Sequence, residues 1–342
     1  MFQNQNRKKV VLQGLLALAL IASIAGRVFV VSAAAPKPSY DYYLTGNAAD
    51  VTRATSGGLL LMGGSTDVDA AFTWMIGKAG GGDFVVIRVT GADGYNPYVY
   101  GLGTVDSVET IVIKNLGAAS DPFVVNKIRN AEALFIAGGD QKDYVTLWKG
   151  TPVEDAIHYL VTRNVPIGGT SAGLAIMGEF SFTAMNGTVD SSVALGNPYN
   201  SKVAVGRDFL VLPNMTGIIT DSHFGARDRM GRLVVFLARI VKDGWAGTAK
   251  GIGVDEMTAL AVEPNGSATV LGSGSVYFLR TPGMPEVCQS KKPLTYRNIS
   301  VYRASGSATF NLSTWSGSGG TAYFLSAEAG VLNSTQAGGG IY

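Results

Sequence analysis

The sequence predicts an α/β fold: a mostly parallel sheet flanked by helices, with C-terminal β-hairpins. Three observations predict it. Short apolar runs alternate with stretches of helical periodicity, as βαβ units buried on both faces require. Several of these runs end in glycine pairs, such as Gly63-Gly64 and Gly138-Gly139, which read as tight turns beyond strand carboxyl ends. After Lys250 the pattern changes to brief runs joined by turn dipeptides such as Asn265-Gly266, a hairpin signature.

Residues 1–35 read as a signal peptide rather than as part of the fold. Arg7, Lys8 and Lys9 supply a positive start, Val10 to Ala25 an apolar stretch, and Ser32-Ala-Ala-Ala35 the small residues that a signal peptidase needs. The expected location is secreted or periplasmic. The alternative is an uncleaved anchor, because Val28 to Val31 prolongs the apolar stretch past Arg27. Residues 36–56 read as a polar N-terminal extension, 57–315 as the main domain, and 316–342 as a loose Gly/Ser-rich tail without a catalytic part.

Within the main domain, Gly57 to Gly64 reads as a buried strand, and Thr66 to Lys78 as a helix with Val68, Ala71, Phe72, Met75 and Ile76 on one face. Asp83 to Val89 and Glu109 to Lys114 read as strands, separated by a Gly- and Tyr-rich connection at Gly91 to Gly103. Asp121-Pro122 starts a helix, Ala133 to Ala137 is a strand, and a helical stretch through Leu160 leads to the strand before Ser171. Further strands are expected at Arg207 to Leu212, Gly251 to Glu256, Ala259 to Glu263, Ala268 to Leu271 and Ser275 to Leu279. A last hairpin is expected over Ile299 to Leu312. The helix beyond His223 carries Arg227, Arg229 and Arg232 in its first turns.

Bulk composition excludes several function classes. Charged residues make up 15% of the 342 residues and the formal net charge is +2, with no basic stripe past the N-terminus, so nucleic acid is not an expected partner. No membrane contact is expected beyond the N-terminal signal. Cys288 is the only cysteine, so no internal disulfide forms. Only two histidines exist, which argues against a His-rich zinc site; no metal and no cofactor is expected. His158 falls on a helix and reads as structural.

The chemistry centres on Gly169-Thr-Ser171-Ala-Gly173, where a glycine-flanked serine stands on a strand-to-helix turn. A serine nucleophile needs a base, an acid to orient the base, and NH donors for the oxyanion. His223 follows a strand and reaches the same sheet edge. Two acids are plausible orienters, Asp221 and Glu256, and the spacing leaves the choice open. The oxyanion donors are the NH groups of Ala172 and of Gly138 or Gly139. The histidine lies too close behind the serine, with its second candidate acid after it, for the order of an α/β-hydrolase.

Gly138-Gly-Asp-Gln141, Gly168-Gly-Thr-Ser-Ala-Gly173, Asp221-Ser-His-Phe224 with Arg227, Arg229 and Gly231-Arg-Leu233, and Gly251 to Leu260 together resemble the cyanophycinase family of serine peptidases. The resemblance spans roughly Gly57 to Trp315. It implies a class I glutamine-amidotransferase-like fold with serine in place of the amidotransferase cysteine. It also implies Ser171 as nucleophile, His223 as base and Glu256 as orienting acid, and a substrate pocket lined by Gln141, Asp221, Arg227, Arg229 and Arg232. The implied substrate is cyanophycin, a polyaspartate backbone bearing arginine, cut to β-Asp-Arg dipeptides. Ser222 departs from the larger polar residue of the polymer-degrading members. The expected function is a secreted serine exopeptidase acting on such a polymer, with a homodimer allowed. The alternatives are an aspartyl dipeptidase for Asp-X dipeptides and a non-catalytic surface binding protein of the same fold.

Overall fold

The computed structural model describes residues 38–342, so the signal-peptide reading of residues 1–35 lies outside the described residues. The chain starts with β1 (Tyr40–Gly46), β2 (Leu59–Met62), α1 (Asp69–Lys78), β3 (Asp83–Arg88), α2 (Tyr95–Leu102) and β4 (Ser107–Ile113). It continues through α3 (Leu116–Ala119), α4 (Pro122–Asn130), β5 (Ala133–Ile136), α5 (Gln141–Trp148), α6 (Pro152–Thr162), β6 (Ile167–Thr170) and α7 (Ala172–Ala175). Next come β7 (Phe180–Phe182), α8 (Ser191–Gly196), β8 (Val205–Arg207), β9 (Ile218–Asp221) and α9 (Met230–Lys242). Only strands and a short 3₁₀ turn follow: β10 (Lys250–Val254), β11 (Thr258–Val262), β12 (Ser267–Gly272), β13 (Ser275–Arg280), β14 (Tyr296–Ser305), β15 (Thr309–Asn311), β16 (Ser316–Ser318), β17 (Thr321–Glu328) and β18 (Val331–Ser334).

The α/β class stands, but the sheet is not mostly parallel. Two mixed sheets form, one in the order β1-β4-β3-β5-β6-β2-β11-β12-β15-β16 and one in the order β18-β17-β14-β13-β10-β9-β7-β8. Parallel pairing is confined to β4-β3-β5-β6-β2 in the first and to β10-β9-β7 in the second. The hairpin strands that follow α9 extend both sheets rather than standing apart, and their antiparallel ladders supply the difference.

The parallel run is covered on both faces, which is why its strands are apolar throughout. Leu60, Met62, Phe84, Val86 and Phe135 face α1 and α2, where Phe72 and Val99 are buried. Their neighbours Leu59, Leu61, Val85, Ile87, Leu134 and Ile136 face the layer of α4, α5 and α6. Alternation along each strand thus fills two cores, each large side chain contributing about 1.5–3 kcal/mol of burial. The expected Asp121 cap is present: its carboxylate accepts from Phe123 N at 2.9 Å, with Pro122 at the first helical position.

Five local expectations are corrected. The Gly- and Tyr-rich connection contains α2, held by Tyr95 and Tyr98 packing on Phe72 at 5.8 and 5.4 Å rather than by helix propensity. Arg207 to Leu212 is not a strand beyond β8; the chain bends at Asp208, and Phe209, Leu210 and Leu212 are buried without a ladder. The predicted Ile299–Leu312 hairpin is split, β14 joining one sheet and β15 the other. The tail after Trp315 forms β16, β17 and β18, because Tyr323, Leu325 and Ala327 alternate inward against β14. The polar extension before Gly57 contributes the edge strand β1, paired antiparallel with β4.

Candidate active site

Ser171 follows β6 at the carboxyl edge of the parallel run, between the ends of β5 and β2. Its backbone is at φ 52°, ψ −114°, a region that side-chain-bearing residues rarely adopt. The turn is fixed from both sides: Ser171 N donates to Met62 O at 3.1 Å, and Ala175 N donates to Ser171 O at 3.0 Å. The flanking glycines are sterically required. A Cβ on Gly169 would lie 2.7 Å from the Gly173 carbonyl carbon, and one on Gly173 would lie 2.1 Å from Ile136 O.

His223 follows β9, in the other sheet, and its own φ is 48°. Its Nε2 is 2.7 Å from Ser171 Oγ, and its Nδ1 is 2.6 Å from Glu256 Oε1. An ionised carboxylate can only accept, so Nδ1 carries the proton and donates to Glu256, which leaves Nε2 to accept from the serine hydroxyl. Glu256 sits on the crossover from β10 to β11, where the chain passes between sheets. The imidazole is 8% exposed, and burial holds its pKa below the usual 6.5; the Glu256 bond opposes this, while Arg227 and Arg229 add to it. Burial thus favours the neutral form of the imidazole.

The alternative orienter, Asp221, is placed elsewhere. Its carboxylate accepts from Arg232 Nε at 2.7 Å and Nη2 at 2.6 Å, both side chains being 2% exposed. Arg229 Nη1 donates to Ser222 O at 2.8 Å and lies 3.4 Å from Asp221 Oδ1. Asp221 therefore neutralises buried arginines and does not touch the imidazole. Leaving one partner of such a pair alone costs about 3–5 kcal/mol.

The expected pocket residues converge only in part. A cavity of about 370 Å³ is lined by Gln141, Arg227, Arg229 and Arg232, together with Asp140 and Thr188. Arg232 is tied down by Asp221 and Thr188 and offers little to a ligand. Arg229 is the poised cation: burial pushes its pKa down to about 10, and among the described residues only its Nη1 donates to protein. Arg227 is 55% exposed, with Nε 4.0 Å from Glu256 Oε1. Contrary to expectation, Arg227 and Arg229 precede α9 rather than lying in its first turns.

Gly138 lies beside Ser171, a Cβ there standing 3.5 Å from Ser171 Cβ. Among the described residues the NH groups of Gly138, Gly139 and Ala172 donate to no other protein group, so the three expected oxyanion donors are free. Sequence reasoning missed Gly64. Its φ is 96°, and a Cβ there would stand 2.5 Å from His223 Cε1 and 3.1 Å from Ser171 Cβ. The signal was available, since Gly63-Gly64 ends β2 as Gly138-Gly139 follows β5. His158 is structural as expected, its Nε2 accepting from Val211 N at 3.0 Å. The Cys288 thiol is buried and pushed up to about 11, which removes it as a nucleophile.

Ser171, His223 and Glu256, joined by hydrogen bonds across the two sheets of an α/β fold and set beside NH groups without another protein partner, form an arrangement of the kind that serine-dependent acyl transfer uses. Residues 102–200 match the model of Peptidase family S51. The chain is 28% identical over 212 residues to the cyanophycinase of Nostoc sp., a match covering 60% of this chain and 66% of that one. It is 27% identical over 216 residues to the cyanophycinase of Synechococcus elongatus, covering 61% and 62%. The chain thus spans a little under two thirds of the length of these curated relatives. Among solved structures it is similar to a peptidase from an acI-B1 Actinobacterium, with 15% identity over 66% of this chain and 91% of that one, at a TM-score of 0.48. The resemblance to the cyanophycinases read from the four motifs is borne out.

Proposed function

We propose that this chain is a serine peptidase that hydrolyses aspartyl or β-aspartyl linkages through an acyl-enzyme, releasing β-Asp-Arg dipeptides from a cyanophycin-like polymer. The observation that carries the reading is the unbroken relay from Ser171 Oγ through His223 to Glu256, at 2.7 and 2.6 Å. Ser171 Oγ attacks the carbonyl carbon while its proton passes to His223 Nε2. The oxyanion is received by NH groups of Gly138, Gly139 and Ala172. As the C–N bond breaks, His223 returns the proton to the leaving nitrogen; water, deprotonated by the same imidazole, then releases the acid and frees Ser171. Arg229 and Arg227 supply the cations for a substrate carboxylate. The serine turn at the carboxyl edge of β4-β3-β5-β6-β2 fits the amidotransferase-like arrangement that the resemblance implies.

A second cavity supports the arginine-bearing substrate. About 480 Å³ in volume, it opens from Ser65, next to Gly64, and is lined by Asp67, Asp69, Arg88, Tyr95 and Tyr98. Neither aspartate has a salt-bridge partner among the described residues, and their carboxylates accept only from tyrosine hydroxyls, at 3.4 and 2.6 Å. Substrate guanidinium is the cation they lack. Ser222 favours the second reading, an Asp-X dipeptidase, because it stands where the polymer-degrading relatives carry a larger polar residue; Arg229 Nη1 lies 3.3 Å from its hydroxyl. Secretion belongs to the proposal through the signal features of residues 1–35.

Product analysis tests both readings. Wild type is expected to release β-Asp-Arg from cyanophycin, and Ser171→Ala to release about 10³-fold less or none. Cleavage of Asp-X dipeptides with the polymer untouched would favour the second reading, and equal turnover by both proteins would sink the mechanism.

A further inference from the structure

The segment that carries Arg227 and Arg229 runs from His223 to Met230 between β9 and α9, with little regular structure of its own. Its start is pinned to the sheets: His223 N donates to Gly63 O at 2.8 Å, Phe224 N to Val254 O at 3.2 Å, and Gly225 N to Asp255 Oδ1 at 2.8 Å. Its far half is held by a residue more than a hundred positions away. The Tyr342 hydroxyl donates to Asp228 Oδ1 at 2.8 Å and accepts from Met230 N at 3.0 Å. The Tyr342 ring packs edge-on against Phe224 at 6.0 Å and Tyr277 at 5.8 Å. Asp228 stands at φ 45°, a backbone state that needs outside support.

Tyr342 is itself fixed from behind. Ile341 O accepts from the Tyr323 hydroxyl of β17 at 3.0 Å, and Gln336 Nε2 donates to Gly340 O at 2.6 Å. A continuous line of contacts therefore runs from β17 through residues 336–342 to the turn between the two arginines and α9. We propose that Tyr342 is a positioning residue: it straps the His223–Met230 segment so that Arg227 and Arg229 face the substrate cavity. The strap holds the far half of the segment, whereas His223 is held by its own bond to Gly63 O, and the kinetic half of its test rests on the peptidase reading above.

Tyr342→Phe keeps the ring packing and removes both hydroxyl bonds. The expected result is a rise in KM of roughly tenfold with kcat held within about twofold, once activity is normalised by titration of Ser171 with a serine-reactive probe. Asp228→Asn, which weakens the same contact, moves KM in the same direction. Hydrogen exchange at residues 224–230 is expected to quicken in both variants while exchange in β5 and β6 is unchanged. A tyrosine that merely supports the fold would lower the melting temperature and the titratable fraction while leaving KM where it was. Unchanged KM together with unchanged exchange at 224–230 overturns the proposal. If wild type cleaves no peptide, the exchange measurement decides alone: local quickening sustains the strap while the peptidase reading falls.

Discussion

At the residue scale the site is a problem of charge. His223 has two cationic arginines and one carboxylate around it, and burial tips the balance toward the neutral imidazole. Because burial holds the folded-state pKa below 6.5, the proposed base role of His223 predicts that kcat/KM rises with pH along an acid limb whose midpoint falls below 6.5. Arg227→Gln removes one of the opposing charges, so its limb should move to higher pH; a pH–rate profile of both proteins checks this. The linked stability has the same sign: His223 adds stability above pH 6.5 that is lost as pH falls through the folded pKa. His223 was legible because only two histidines compete for the role, and Ser171 because glycines flank it where an apolar run gives way to helical spacing. Asp221 was harder to read. Two residues from His223 in sequence, it is claimed by Arg232 from α9, and only the packed helix reveals that pairing.

At the element scale the turns are set by glycines without room for a side chain. Gly173 packs its Cα against the carboxyl end of β5, where an added methyl would meet Ile136 O at 2.1 Å, and backbone on both sides cannot yield cheaply. Gly173→Ala should therefore destabilise the protein by about 3 kcal/mol or more, measured as a lower denaturation midpoint, because overpacking here moves a strand. The glycine-flanked serine was readable for the same reason, since such sequences have few other uses. By contrast α2 was unreadable: Tyr95-Asn-Pro-Tyr-Val-Tyr-Gly-Leu102 has weak helix propensity, and its helix exists because Phe72 and Phe135 receive its rings.

At the scale of the whole molecule the two sheets share one core. Leu260, Val262 and Phe310 from one sheet pack in the same cluster as Ile252, Val254, Val276 and Phe278 from the other, with Phe278 stacked on Phe310 at 3.7 Å. The serine belongs to the first sheet, the histidine to the second, and the glutamate to the strand crossover between them. Loss of activity and loss of circular dichroism in a urea titration should then superimpose, as one cooperative unit requires; activity lost at clearly lower urea would show that the sheets part first. The alternation of strands and helices predicted the α/β class and the parallel run. Which sheet each late strand would join was not readable, because alternation within β14 or β15 does not specify the strand it pairs with.

The placement of Glu256 on that crossover also sets an order in time. A chain emerging from its N-terminus presents the Ser171 turn first, then His223, and the carboxylate arrives only with the strands that cross between the sheets. The three-residue contact therefore needs chain from both sides of Glu256, β10 in one sheet and β11 in the other.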